Sequence, residues 1–285
     1  MKNKLIILFV GPLPPPYSGP ELSMADLLYS KFLNSKYEII FLKTNFRNDN
    51  VNKGKLDFAM IRNFFTYFFN LTKLLAQGKP HAVYYPITPT QVGWLGRDIG
   101  TILLSKFFGA KVILHLRGSH FKLNFRTFYK WNRVLIGNTL KRVDRAIVQA
   151  NYLKDQFTPY INPEKVSCLY QSMDFNKFKP GSHNNIEKNS IFIVGHLTKS
   201  KGYTDILKVI PEIADLFPDI TFNFAGDMRT GERGVFYNQT NGEKIIYEDP
   251  FQAEQTILNS QYKLNYRNLG LITGKDKQDY FQKAD

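Results

Sequence analysis

Ile191-Phe192-Ile193-Val194-Gly195-His196-Leu197-Thr198-Lys199-Ser200-Lys201-Gly202 is an apolar run that breaks at a glycine and reaches a lysine just before a helix-like segment. Val194 closes a buried strand, and Gly195 lets the backbone turn closely. Lys201, with the free N–H groups of a helix starting near Gly202, can then face a phosphate. A solvated lysine at a helix start is the plainer alternative for Lys201, and this stretch alone leaves both open.

Outward from that stretch, strand-like and helix-like runs alternate along the whole chain. Towards the C-terminus the pattern predicts a helix over 204–216, a strand over 221–225, a helix from 250 to about 264, a strand over 268–272 and a helix over 275–283. Residues 226–249 are rich in Gly, Asn and charge and read as a long loop or hairpin beyond a strand end, where open sheets bind ligands. Towards the N-terminus the pattern predicts strands over 4–10, 37–42, 82–85, 111–116, 145–149 and 165–170. Helices over 21–33, 56–76, 92–108 and 125–140 separate them, with a short one over 151–157 that Asn151 would cap. Phe58, Ile61, Phe64, Phe65, Phe68 and Leu71 recur at helical spacing and read as a core-facing stripe. Such alternation predicts α/β structure with parallel strands covered by helices on both faces. Polar residues 174–189, including Pro180 and Gly181, break the pattern and read as a linker between domains 1–173 and 190–285. The pattern reaches Tyr280-Phe281-Gln282-Lys283-Ala284-Asp285 partway through a strand–helix repeat, so the second domain is expected to be incomplete.

At 285 residues and 43% hydrophobic, the chain can bury a sizeable core. One cysteine, Cys168, excludes an internal disulfide framework and fits a reducing, cytoplasmic compartment. No run approaches the roughly eighteen apolar residues of a membrane span. The apolar run 5–10 is short for a signal peptide and leads into Pro12, Pro14, Pro15 and Pro16, which favours a first buried strand. The net charge of +14 is uneven: residues 1–180 hold 26 Lys and Arg against 10 Asp and Glu, and residues 181–285 hold 12 against 14. That asymmetry points to an anionic partner for the first domain, a membrane surface ahead of nucleic acid, for which no motif is present; plain solvation is the alternative. Lys122, Arg126, Lys130, Arg133, Lys141 and Arg142 interleave with Phe121, Phe125, Phe128, Tyr129 and Trp131. This stretch reads either as a helix packed on the sheet or as an amphipathic surface facing a membrane.

Several chemistries lack their residues. Gly11 and Gly19 after the first strand, with prolines between, do not form the dinucleotide glycine fingerprint. Gly274-Lys275 is followed by Asp276 and is not a Walker-type loop. No Asp-x-Asp pair occurs, which argues against a sugar-nucleotide site built on a bridging divalent metal. The five histidines, His81, His115, His120, His183 and His196, show no metal-ligand spacing, so neither a metal nor another cofactor is expected.

The whole chain resembles the family 4 glycosyltransferases of the GT-B fold. Three segments carry the likeness: Gly11-Pro12-Leu13-Pro14-Pro15-Pro16-Tyr17-Ser18-Gly19, similar to the family's first loop; Gly195 to Gly202, similar to its Gly-Arg-Leu-x-x-x-Lys-Gly motif; and Gly270-Leu271-Ile272 followed by 280–285, similar to the strand and helix that lead into the donor site. Met173-Asp174, with Phe178 and Pro180, resembles the family's crossover signature. The departures are Ser18-Gly19 for a glycine pair, His196 for the motif's arginine, Gln171-Ser172 for an Asn-Gly, and Arg117 where the family often has a histidine close to the reacting sugar. The family's pair of glutamates has no counterpart up to Asp285.

The resemblance implies two Rossmann-like domains and a retaining, metal-independent transfer from a nucleotide sugar to a polysaccharide or lipid-linked glycan, on the inner face of a bacterial cytoplasmic membrane. It implies a diphosphate site at Gly19, Gly195, His196, Lys201 and Gly202, and a base site at Gly226, Gly270 and Ile272. Arg117, His115 and His120 are the candidates for the reacting sugar or acceptor, although a structural role for either histidine stays open. Without the glutamate pair, a catalytically inactive acceptor- or membrane-binding protein is the alternative.

Overall fold

The computed structural model describes residues 4–14, 19–44, 58–171, 186–195, 197, 201–226, 236–237, 244–245 and 252–284. The chain divides into two compact units, Met1–Ser172 and Met173–Asp285. Of the expected linker, residues 174–185 lie outside the described residues.

The first unit runs β1 (Leu5–Gly11), α1 (Gly19–Leu28), α2 (Lys31–Lys36), β2 (Tyr37–Lys43), α3 (Phe58–Gly78), β3 (Ala82–Pro86), α4 (Gln91–Gly93), a π-helical turn (Trp94–Asp98), α5 (Ile99–Phe107), β4 (Lys111–Leu116), α6 (Phe121–Arg126), α7 (Lys130–Leu140), β5 (Arg145–Val148), a 3-10 helix (Asn151–Phe157) and β6 (Val166–Cys168). Its six strands form one parallel sheet in the order β2-β1-β3-β4-β5-β6. Strand order reverses at β1, so the crevice at the carboxyl ends of β1 and β3 is the place where sheets of this kind take ligands.

Both faces of the sheet are covered, and the period of two sorts the side chains. Leu8, Val10, Val83 and Tyr85 join Tyr67, Leu71 and Leu75 of α3 and Ile102 of α5 in the larger core. Phe9 and Tyr84, one residue out of step, point the other way onto Met24 of α1. Tyr84 and Tyr85 therefore serve opposite faces.

Three expected helices are interrupted. The 21–33 helix breaks at Ser30, whose hydroxyl accepts the Leu33 N–H at 3.3 Å and caps α2. The 92–108 helix opens into a π turn ending at Asp98, which is fully buried. Asp98 accepts bonds from the Tyr85 hydroxyl and from the Thr88 N–H and hydroxyl, both at 2.8 Å, with Arg97 Nε at 3.5 Å. The 125–140 helix becomes α6 and α7, because Phe125 and Phe128 both turn inward and the Tyr129 N–H donates to Gln91 Oε1 at 2.9 Å. Asn151 is not a cap: Ala150 holds that position, and the Asn151 amide donates to the Tyr170 hydroxyl at 3.0 Å.

The second unit runs β7 (Ser190–Val194), α8 (Tyr203–Leu216), β8 (Thr221–Ala225), β9 (Phe236–Tyr237), β10 (Lys244–Ile245), α9 (Gln252–Gln261), β11 (Tyr266–Asn268) and α10 (Gly274–Lys283). β7, β8 and β11 form a parallel sheet in the order β11-β8-β7, and β9 pairs antiparallel with β10. Tyr203, Leu207 and Ile210 repeat along one face of α8 and pack on Phe222, Phe224 and Tyr266. On the other side of the sheet Phe192 stacks on Tyr280 of α10 at 5.4 Å and meets Phe281 edge-on at 4.9 Å. The strand expected over 268–272 ends at Asn268 instead. Gly270 takes φ +64 and donates its N–H to Asn268 Oδ1 at 3.0 Å, which turns the chain away from the sheet.

Candidate functional site

All three strands of the second sheet leave their carboxyl ends through glycine: Gly195 directly after β7, Gly226 directly after β8, and Gly270 two residues beyond β11. These turns are tied together. The Gly195 N–H donates to the Ala225 carbonyl at 3.0 Å, and the Gly226 N–H donates to the Gly270 carbonyl at 2.8 Å. A Cβ on Gly226 would stand 1.6 Å from the Gly195 carbonyl oxygen, so no other residue fits without separating the strand ends. Ile272, half-buried, follows in the same loop as Gly270 rather than in a strand.

Between Gly195 and α8 the chain is anchored by Leu197, which is buried in the core of this unit. Gly202 caps α8 with φ +76, a left-handed conformation that favours glycine. The first turn of α8 leaves N–H groups without intrahelical partners. Lys201 is exposed immediately before it, and the buried Thr204 hydroxyl in that turn has no hydrogen-bond partner among the described residues. The loop thus combines fixed positive charge and the positive end of a helix dipole, which together suit a phosphate. His196 lies outside the described residues.

The first unit carries a cleft of about 130 Å³ at the carboxyl edge of its sheet, lined by Ser23 and Asp26 of α1, His115 and Arg117 at the end of β4, Gln149 after β5, and Gln171. Pockets that enclose a whole ligand start near ~300 Å³, so this one has room for a single polar group of a larger molecule. An Arg117 N–H donates to the Tyr84 hydroxyl at 3.1 Å, and the Tyr84 hydroxyl meets His115 Nδ1 at 2.5 Å. Arg117 can only donate to the Tyr84 oxygen, and Nδ1 is the acceptor within reach of the Tyr84 proton, an arrangement that favours the Nε2–H tautomer of His115. Burial first, and the Arg117 charge second, push the His115 imidazole down to about 3. It is therefore neutral at ordinary pH. Among the described residues its Nε2 and Arg117 Nε are buried without partners.

Of the residues singled out from sequence, His115 and Arg117 come together. His120 does not join them: it is exposed and shares a hydrogen bond with the Ser119 hydroxyl at 2.9 Å. Gly19 is the exposed first residue of α1, with open space where a Cβ would stand. Tyr84, unnoticed in the sequence, is the residue that fixes the His115 tautomer; its placement next to Tyr85 in a buried strand was the available signal. Among the described residues no three His, Cys, Asp or Glu side chains gather as a metal site. No helix among them is long and apolar enough to cross a membrane.

No protein-family description matches the chain, and neither does any curated relative. Solved structures do match. A protein described as a UDP-N-acetylglucosamine 2-epimerase from Listeria monocytogenes aligns with 99% of this chain and 73% of its own at TM-score 0.55 and 11% identity. MnaA of S. aureus, solved with UDP, aligns over 98% of this chain and 71% of its own, with TM-score 0.50 and 15% identity. TarM aligns over 81% of this chain and 42% of its own, with TM-score 0.50 and 12% identity. At such identities the likeness establishes architecture: this is an α/β chain of the GT-B type with Rossmann-like sheets.

Proposed function

We propose that the protein is a glycosyltransferase that moves a sugar from a nucleotide donor to a glycan or lipid-linked acceptor, with retention of configuration and without a metal. The observation that carries the proposal is the glycine-only edge of the second sheet, where Gly195, Gly226 and Gly270 clear the strand ends beside the start of α8. Backbone bare of side chains lets a nucleotide approach closely, while Lys201 and the first turn of α8 take its diphosphate. Charge grows on that diphosphate as the sugar leaves, and a fixed ammonium and helix terminus stabilise it where it grows. The UDP held by MnaA, a protein of this fold, supports a uridine nucleotide as the donor class.

In the first domain, neutral His115 cannot act as a strong base, and its Nε2–H and the Arg117 guanidinium are hydrogen-bond donors. They suit sugar hydroxyls or a phosphate oxygen. Calorimetric titration with UDP tests the donor site: wild type binds, and Lys201→Ala weakens binding by roughly ten- to a hundredfold, as expected for a charge-assisted bond. Equal affinity in both removes Lys201 from the site. Transfer itself reads as acceptor-dependent release of UDP from a UDP-sugar; conversion of the sugar with the glycosidic phosphate bond intact would instead mark an epimerase.

A further inference from the structure

On the first domain, away from the His115 cleft, α6, α7 and the turn at residues 158–160 enclose a groove of about 500 Å³. Five lining residues are cations, Lys122, Arg126, Lys130, Arg133 and Lys141, and none of the lining residues is acidic. Among the described residues only Lys122 of these five has a carboxylate partner, Asp155 at 2.9 Å. The others have no carboxylate partner among the described residues, and Arg133 Nε is buried with no partner among them. The rest of the lining is largely apolar, with Phe125, Val134, Pro159 and Tyr160. Gly137 makes that packing possible, since a Cβ there would come within 2.5 Å of the Tyr160 ring.

The rim decides what such a groove accommodates. At the start of α7 Tyr129 is 76% exposed and Trp131 84% exposed, and Leu135 stands one turn on from Trp131 with 48% exposure. A small soluble anion would use the cations and leave these aromatics in water. A surface that is anionic outside and apolar beneath uses both, because basic side chains meet headgroup phosphates while Trp and Tyr settle at the interface. We propose that this face docks on an anionic phospholipid bilayer, with headgroup phosphates entering the basic groove and Trp131 and Tyr129 entering the interface. This docking is independent of the transfer reaction, and its test does not depend on activity.

The chain carries its own reporter. Of the two tryptophans, Trp94 is fully buried and Trp131 is exposed, so a change in emission on adding vesicles reads Trp131. The full chain should cosediment with vesicles of equal parts phosphatidylcholine and phosphatidylglycerol, with a blue-shifted emission. Binding should weaken as salt rises through ~0.1 M, where the screening length is about 10 Å. Combining Lys130→Gln, Arg133→Gln and Lys141→Gln should lower partitioning roughly a hundredfold, at about fivefold per cation. Trp131→Ala should abolish the blue shift while Trp94 emission still reports a folded domain. Equal partitioning onto pure phosphatidylcholine, or binding with no blue shift, overturns the proposal. So does displacement from vesicles by inorganic pyrophosphate at equimolar phosphate, which would make a soluble anion the occupant.

Discussion

Lowering the pH from 7.5 to 5 should cost the first domain about 2 kcal/mol through His115 alone. In the folded chain, burial and the neighbouring Arg117 hold this imidazole down to about 3; in the unfolded chain it titrates near 6.5. Above about 6.5 both states carry it neutral and nothing changes. As pH falls through the unfolded value, the unfolded state takes up a proton that the folded state refuses. The stability contributed by neutral His115 is then lost, at up to about 1.4 kcal/mol per pH unit, until the folded value near 3 is reached. Urea unfolding followed by tryptophan fluorescence is the assay, since Trp94 and Trp131 both lie in the first unit. Carboxylates also titrate towards the acid end, so the comparison is with His115→Gln at each pH. The variant should be the less stable protein at pH 7.5, and the gap should narrow by about 2 kcal/mol at pH 5. Parallel curves for the two proteins would refute the buried neutral imidazole.

Gly226→Ala forces a Cβ against the Gly195 carbonyl, so two strand-end hydrogen bonds must open; hydrogen exchange in β8 should report about 3 kcal/mol of lost stability, and UDP binding should disappear with it. Asp98→Ala strips a fully buried carboxylate from Arg97, Tyr85 and Thr88, and fluorescence-monitored urea unfolding should show a loss of about 3–5 kcal/mol. Tyr84→Phe leaves His115 Nδ1 without its donor; nitrogen NMR should show a single Nε2–H tautomer in wild type and a mixture in the variant, with about 1–3 kcal/mol of stability lost.

The alternation of strands and helices was legible because parallel strands buried on both faces read as continuous apolar runs, such as 5–10 and 111–116, set apart by amphipathic helices. The break at Ser30 has a local cause, its hydroxyl capping Leu33, but the other two interruptions were not legible, because their causes are distant in sequence. Asp98 opens its turn by reaching Tyr85 and Thr88, and the break before α7 depends on Gln91 receiving the Tyr129 N–H. β11 stops early for a local reason, the Asn268 side chain capturing Gly270, but apolar Leu271 and Ile272 disguised it in the sequence. At the site, Gly195 and Gly226 announced themselves, since each follows an apolar strand, whereas Gly270 was expected inside a strand over 268–272. Spacing said nothing of the Tyr84 bridge between His115 and Arg117, which forms only when β3 and β4 lie side by side.

A nucleotide diphosphate seated at the glycine edge of the second sheet would show itself in hydrogen exchange with and without UDP. Binding there should slow exchange at Gly195, from Gly202 to Ile206, and at Gly226 and Gly270, with the Lys201→Ala variant losing the effect. Unchanged exchange at those amides in saturating UDP, or slowing confined to the first domain, would contradict it.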